Sequence, residues 1–234
     1  STGAARRAAV CVTIRQGRAR RLLACAVVDT RVHVISLCSR AEAGEFAGRA
    51  ATALHRALGL EVAFEPARIK PIADQWQLAN AFNQLMRQDE QHSLSTLDFH
   101  DGTNLPDLVG MRGNGAYSRQ LLREQLPRIS ERALLDRLQV DWSQDVDFDP
   151  SLLIEAALAA TGRSSLKGRQ PGTLAARRAA AAVARPRMNA PAMAKLFGID
   201  LRTAFRLRAA DHDQELASAI ELQMRWRAHR ARGV

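Results

Sequence analysis

The stretch from Asn189 to Ala209, NAPAMAKLFGIDLRTAFRLRA, has the spacing of two short helices joined by a glycine turn. Asn189 is a favourable N-cap, and Pro191 suits a first helical turn. Gly198 is expected to end the first helix, with Ile199 filling the corner of the turn. The apolar face of this first helix is predicted to carry Ala190, Ala194, Leu196 and Phe197. The sequence therefore predicts a helix pair at this position.

The second helix of the pair is predicted to start at about Leu201. Its buried face is expected to carry Ala204, Phe205 and Leu207, and its open face Arg202, Thr203, Arg206 and Arg208. Guanidinium and hydroxyl groups bind guanine edges and phosphates in a major groove, so the pattern favours a DNA-binding helix-turn-helix. The alternative is a plain antiparallel helix pair with a solvated basic face.

Charge is distributed unevenly along the 234 residues, whose net charge is +10. Residues 1–40 carry eight Arg and one acid, residues 41–150 carry 11 basic and 17 acidic residues, and residues 151–234 carry 15 basic and six acidic. Two basic ends around an acidic middle favour an anionic partner, most commonly nucleic acid. Codon bias would explain the preference for Arg over Lys, but not the gathering of acids in the middle.

Further candidate DNA contacts lie outside the second helix. They are Lys195, Arg177, Arg178, Lys167, Arg169, Arg18, Arg20 and Arg21. A basic loop, RSSLKGRQPG, precedes a helix that Thr173 is expected to cap. The last helix is expected to bury Leu216, Ile220 and Met224 and to gather Arg225, Arg227, Arg230 and Arg232 near its end, where the helix dipole favours cations.

The N-terminal part is predicted to alternate strands and helices. Strands are expected at 8–16, within 22–38 and at 60–72, with helices at 40–58 and 74–88. The first helix has Phe46, Ala50, Leu54 and Leu58 at helical spacing, and the second is expected to bury Trp76, Leu78, Phe82, Leu85 and Met86. This order suggests a ferredoxin-like α+β domain over 1–95. A helical connector over 96–150, ending in the acidic run 141–150, and an all-α domain over 151–234 follow.

The same N-terminal elements resemble a known family. TRVHVISL, the amphipathic helix after it, FEPARI and the helix AFNQLMRQDEQH are similar in order and spacing to the single-tyrosine HUH transposases, especially those associated with repetitive extragenic palindromes. In that family a His-hydrophobic-His strand holds a metal ion, and a helical tyrosine attacks a DNA phosphate. The resemblance covers about residues 8–95 and implies a protein that acts on DNA.

The positions that match the family's catalytic motif carry other residues here. Arg31 stands at the first ligand position, His33 remains at the second, and Gln84 stands at the place of the tyrosine. A guanidinium does not ligate a divalent cation and an amide does not attack phosphate, so the resemblance implies a degenerate transposase without strand cleavage. The lone His33 is expected to be a hydrogen-bonded core or surface residue. The only tyrosine, Tyr117, is expected to be a surface or half-buried aromatic.

Two other groups of residues contain types that bind metals. A polar loop is flanked by His92 and His100, which together with Asp98 and Asp101 imitate a metal-binding cluster. A solvated loop is the simpler interpretation. Cys11, Cys25 and Cys38 lack metal-ligand spacing and are expected to be buried free thiols. No cofactor is predicted, and Mg or Mn would be needed only by a cleaving enzyme.

Three hypotheses follow. The first is a DNA-binding protein of transposase descent that does not cleave DNA. Its helix-turn-helix reads a duplex, and its N-terminal sheet recognises a hairpin or structured single strand through Arg15, Arg18, Arg20, Arg21 and Arg31. The second is an active metal-dependent nickase or transposase, with Tyr117 as the candidate nucleophile. The third is a DNA-tethered adaptor or regulator whose acidic middle binds another protein. No run of apolar residues reaches the length of a membrane span and the N-terminal residues lack a signal-peptide pattern, so a soluble, cytoplasmic, nucleoid-associated protein is expected. Oligomeric state is left open.

Overall fold

The structure is a computed structural model that describes residues 3–17, 21–28, 31–88, 92, 95, 100–113, 116–138, 140, 142 and 148–231. The fold is mixed α/β and mainly helical, with one two-stranded antiparallel sheet among the described residues. The chain divides into two compact units. The first unit is Ser1–Val109 with Tyr117–Leu138, and the second is Gly110–Ala116 with Gln139–Val234. Residues 96–150 are thus shared between the two units.

The first unit contains the sheet and most of the shorter helices. In chain order its elements are α1 Gly3–Gly17, β1 Leu22–Val28, β2 Arg31–Ser36, α2 Arg40–Leu58, α3 Gln75–Met86, α4 Leu105–Leu108, α5 Ala116–Gln125 and α6 Glu131–Asp136. β1 and β2 pair antiparallel with Cys25 opposite Val34. One hydrophobic cluster joins α1, β1 and α2 through Val10, Leu22 and Phe46.

The side chain of Asn104 covers the other edge of β1. Its Oδ1 accepts a hydrogen bond from the Cys25 N–H at 2.8 Å, and its Nδ2 donates to the Leu23 oxygen at 3.1 Å. The Asn104 N–H also donates to the Cys25 oxygen at 3.1 Å. One residue therefore satisfies backbone groups that would otherwise be buried and unpaired.

The strand predicted at 8–16 is wrong, because these residues belong to helix α1. Val10, Val12 and Ile14 alternate as in a strand, but the buried positions include Ala9, Val10, Val12 and Thr13, a helical spacing. The Thr13 hydroxyl donates to the Ala9 oxygen at 2.9 Å, one helical turn earlier.

The strand predicted at 60–72 is also wrong, since this segment has no regular secondary structure and exposes Val62, Ile69 and Ile72. The described part of the chain therefore lacks the further strands that a ferredoxin-like sheet requires.

Helices α2 and α3 agree closely with their predictions. Ser39 and Glu42 form a reciprocal capping box at the start of α2, and Phe46, Ala50 and Leu54 are buried. The Asp74 carboxylate accepts from the Gln77 N–H at 2.8 Å and so caps α3, which buries Leu78, Phe82, Leu85 and Met86. Trp76 was predicted inward but is 73% exposed, because it lies in the first turn of α3, outside that buried face.

Five helices of the described residues belong to the second unit. They are α7 Pro150–Thr161, α8 Pro171–Ala184, α9 Ala190–Phe197, α10 Leu201–Ala209 and α11 Gln214–Ala231. Their shared core is rich in alanine, which allows α7, α8 and α11 to pack closely, and Leu216, Ile220 and Met224 are buried as predicted. The cap predicted for α8 is wrong. Gln170 is the N-cap residue, and Thr173 lies inside the helix at 2% exposure.

Cys11, Cys25 and Cys38 are free thiols; Cys25 is buried as predicted, whereas Cys11 and Cys38 are only half-buried.

In the described ranges, no helix combines the length and the apolar character needed to cross a membrane.

Candidate nucleic-acid interface

Local capping interactions define the turn between α9 and α10. The Asn189 Oδ1 accepts from the Ala192 N–H at 2.9 Å, and Pro191 lies in the first turn of α9, as predicted. Gly198 ends α9 with φ at +60°, a left-handed conformation that glycine adopts without steric cost. The Ile199 N–H then donates to the Ala194 oxygen at 3.0 Å. These contacts fix the end of α9, where the turn begins.

Asp200 is the N-cap residue of α10 and fixes the end of the turn. Its carboxylate accepts from the Thr203 hydroxyl at 2.7 Å and from the Thr203 N–H at 2.8 Å. These two hydrogen bonds stabilise the charged carboxylate and lower the pKa of Asp200. The hydroxyl of Thr203, predicted to contact DNA, is therefore already engaged in the cap.

The helix pair is anchored to the core of the second unit. Met193 of α9 and Ala204 of α10 are fully buried, Leu207 of α10 is buried, and Ile199 packs against the same core. The guanidinium of Arg208 donates to the Met188 oxygen just before α9. Arg208 was predicted on the DNA-facing side, but in the structure it is part-buried and holds α10 in place.

The opposite side of α10 is open to solvent. Its exposed residues are Leu201, Arg202, Phe205, Arg206 and Ala209. At about 100° per residue these positions span a continuous arc of about 140°. The guanidinium groups of Arg202 and Arg206 make no hydrogen bond or ion pair with any part of the chain that the structure describes. We call these five residues the open face of α10.

The prediction that Phe205 is buried is wrong, since its side chain is 58% exposed. Ala204 and Leu207 lie about 60° apart around the helix axis and face the core. Phe205 lies about 100° from Ala204 and about 160° from Leu207, so it cannot share their face. The open face thus combines two free cations with two large apolar side chains, Leu201 and Phe205.

A polar cavity of about 390 Å³ lies at the start of α8. It is lined by Gly162, Arg163, Ser164, Ser165, Lys167, Gly168, Gln170 and Thr173. The Arg163 guanidinium donates to the Thr173 hydroxyl at 3.1 Å and to the Gln170 Oε1 at 3.4 Å. These two hydrogen bonds hold Arg163 in the wall of the cavity. Arg163 was not among the predicted contacts, although it opens the basic loop that contains two of them.

The other residues of the second unit that were predicted to contact DNA form two groups, exposed side chains and side chains that bond within the protein. Lys167, Arg169, Arg178 and Lys195 are exposed. Arg177 instead donates to the Gly168 oxygen and supports the loop. In the last helix, Arg227 pairs with Glu155 at 3.3 Å, and both Arg227 and Arg230 lie over the Trp226 ring. Arg232 lies outside the described residues.

The predicted basic turn of the first unit is only partly described. Arg18 and Arg20 lie outside the described residues, and Arg21 pairs with Glu124 at 3.2 Å. Arg21 is therefore a partly neutralised cation.

The three positions that the sequence resemblance predicted to be catalytic lie on β2 and α3. Arg31 and Gln84 are exposed, and His33 is half-buried. Burial lowers the pKa of His33 below its ordinary value of 6.5, and electrostatic interactions with Arg31 and His92 lower it further. The neutral imidazole is thus favoured. Tyr117 is half-buried, within the range predicted for it.

The loop that contains His100 was predicted to be solvated, but two of its residues are buried. His100 and Asp101 are both fully buried, with the His100 Nδ1 3.2 Å from the Asp101 Oδ1. The Arg7 guanidinium forms an ion pair with the other Asp101 oxygen, Oδ2. Asp98 lies outside the described residues, and His92 is exposed. In the part of the chain that the structure describes, no three His, Cys, Asp or Glu side chains gather in a group that could hold a metal ion.

Comparisons with family models, with curated proteins and with solved structures found no match to this chain.

Proposed function

We propose that the chain is a DNA-binding protein that recognises duplex DNA through the open face of α10, with α9 and α10 acting as a helix-turn-helix. The observation that carries this proposal is the pair of free, exposed guanidiniums of Arg202 and Arg206, one turn apart on a helix whose opposite side is anchored in the core. A single α-helix fits the major groove, and arginine is the residue that most often reads guanine there.

The charge of the surrounding region supports an anionic partner. Residues 151–234 carry 15 basic and six acidic side chains. Such an excess attracts DNA over a distance of about 10 Å at moderate salt and supplies binding energy without sequence preference. The exposed cations outside α10, Lys167, Arg169, Arg178 and Lys195, are proposed to contact phosphates. Phosphate contacts position the helix, whereas Arg202 and Arg206 supply the readout of bases.

The first unit is proposed to descend from an HUH transposase that no longer cleaves DNA. This part rests on the resemblance of its sequence together with the side chains at the three motif positions. An exposed arginine at 31 and an exposed amide at 84 supply neither a metal ligand nor a nucleophile. The enzyme alternative predicts a covalent adduct between Tyr117 and a labelled single-stranded hairpin in the presence of Mg or Mn. An adduct that is lost in Tyr117→Phe would overturn this part of the proposal.

Selection from a random-sequence duplex library tests the main proposal. The unaltered protein is expected to enrich a consensus sequence, and Arg206→Ala is expected to lose that consensus while retaining weaker, salt-sensitive binding. Arg49→Ala is the matched control, because Arg49 is an exposed arginine on α2 in the other unit. If Arg206→Ala and Arg49→Ala enrich the same consensus as the unaltered protein, α10 is not the reading helix.

A further inference from the structure

Two large apolar side chains stand on the same face as the free cations of α10. Phe205 is 58% exposed and Leu201 is 48% exposed, and they lie one helical turn apart. Among the described residues only six large hydrophobic side chains are exposed, and these two belong to one nine-residue helix. Phe205 follows Arg202 by three positions and precedes Arg206 directly, so it lies between the two arginines along the helix axis. Around the axis it lies about 60° from Arg202 and about 100° from Arg206, on the side towards Leu201.

The surroundings of Phe205 restrict what could cover it. A partner must offer negative charge or acceptors to Arg202 and Arg206 and, beside them, an apolar group for the ring. A lipid surface would require a wider apolar face than two side chains provide. The major groove meets both requirements, because guanine and phosphate oxygens accept from guanidinium groups and the 5-methyl group of thymine is apolar.

We propose that Phe205 contacts the 5-methyl group of a thymine in the DNA site of α10 and is a specificity-determining residue. This inference rests on the proposed function and adds to it the identity of one base in the target. Phe205 is the better candidate of the two apolar residues because it lies about 60° from Arg202 around the helix axis, whereas Leu201 lies about 100° from Arg202, at the edge of the open face.

Replacing thymine by uracil tests the contact directly. Uracil presents the same O4 acceptor in the major groove and lacks only the methyl group. Each thymine of a selected duplex is replaced in turn by deoxyuridine, and affinity is measured by fluorescence anisotropy. At one position the unaltered protein is expected to bind the thymine duplex about fourfold more tightly, the value for burying one methyl-sized group.

Variants then assign this preference to Phe205. Phe205→Ala is expected to bind the thymine and uracil duplexes equally at that position. Phe205→Leu, which keeps an apolar side chain, and Leu201→Ala, which removes the neighbouring one, are expected to retain the preference. Because Phe205 is mostly exposed, its truncation leaves the core intact, and circular dichroism verifies the fold of each variant.

The outcomes separate this inference from the proposed function. If the selected duplex is preferred over a shuffled one but no thymine-to-uracil change weakens binding, the role of Phe205 is overturned and DNA recognition stands. The inference is equally overturned if Phe205→Ala keeps the thymine preference. If no duplex is preferred at all, the proposed function itself fails.

Discussion

The guanidinium of Arg208 donates a hydrogen bond to the backbone oxygen of Met188, which connects the end of α10 to the residues just before α9. The backbone oxygen of Arg208 accepts in turn from the Arg185 guanidinium at 3.4 Å. These two contacts set the position of α10 relative to α8 and α9. The geometry of the open face therefore depends on side chains that do not belong to it.

Arg208→Ala is expected to destabilise the second unit by about 1.5 kcal/mol, because it removes a charge-assisted hydrogen bond in a part-buried site. Arg206→Ala, two residues earlier and free of partners among the described residues, is expected to change stability by less than about 0.5 kcal/mol. Urea unfolding followed by circular dichroism compares the two. Equal losses in both variants would contradict a structural role specific to Arg208.

Gly198→Ala is expected to cost about 1 kcal/mol of unfolding free energy, since an alanine at φ +60° is strained although no neighbour lies within 4 Å of the added Cβ. Gly44→Ala is the control. Gly44 lies inside α2 with nothing within 4 Å of the added Cβ, and alanine is the better helix former there. Gly44→Ala should therefore stabilise the protein slightly, and opposite signs for the two changes are the expected result.

Asn104→Ala is expected to cost about 3 kcal/mol, because it leaves the Cys25 N–H and the Leu23 oxygen buried without this partner. Asn83→Ala removes an exposed amide from α3 and should cost less than about 0.5 kcal/mol. Thermal unfolding of the two variants is compared with that of the unaltered protein. A loss for Asn104→Ala no larger than for Asn83→Ala would show that this side chain does not support the edge of β1.

His33 is expected to make the first unit less stable in acid. Its pKa in the folded protein is below 6.5, so the unfolded chain takes up a proton more readily as the pH falls through 6.5. Stability from neutral His33 is present above that value and is lost below it. Comparison of urea midpoints at neutral and mildly acidic pH should show a smaller loss for His33→Gln. Identical losses in both proteins would contradict this assignment.

Helix ends in this chain are predictable where a cap acts within a few residues of the end. Asn189, Gly198 and Asp74 each form the cap expected from the sequence, because their interactions depend on local backbone geometry alone. The buried residues of α2 follow from helical spacing for the same reason. Most of the helix pair could therefore be described before its surroundings were known.

Structure that depends on distant packing could not be predicted in this way. Val10, Val12 and Ile14 suit a strand, and only contacts with β1 and α2 make α1 the better solution. Phe205 lies one position from the buried Ala204 and two from the buried Leu207, so sequence spacing alone did not show which of the three lie inward. The engaged roles of Thr203 and Arg208 likewise depend on where a carboxylate and a carbonyl lie in the folded chain.

The most direct test of DNA recognition by α10 is the ratio of affinities for a selected duplex and a shuffled duplex of equal length and composition, at fixed salt. Arg202→Ala/Arg206→Ala is expected to reduce this ratio to about one, since each bidentate contact contributes about 1–3 kcal/mol of discrimination. Arg40→Ala/Arg49→Ala removes two exposed charges from α2 and should preserve the ratio. A ratio unchanged by Arg202→Ala/Arg206→Ala would contradict the proposal that α10 reads DNA.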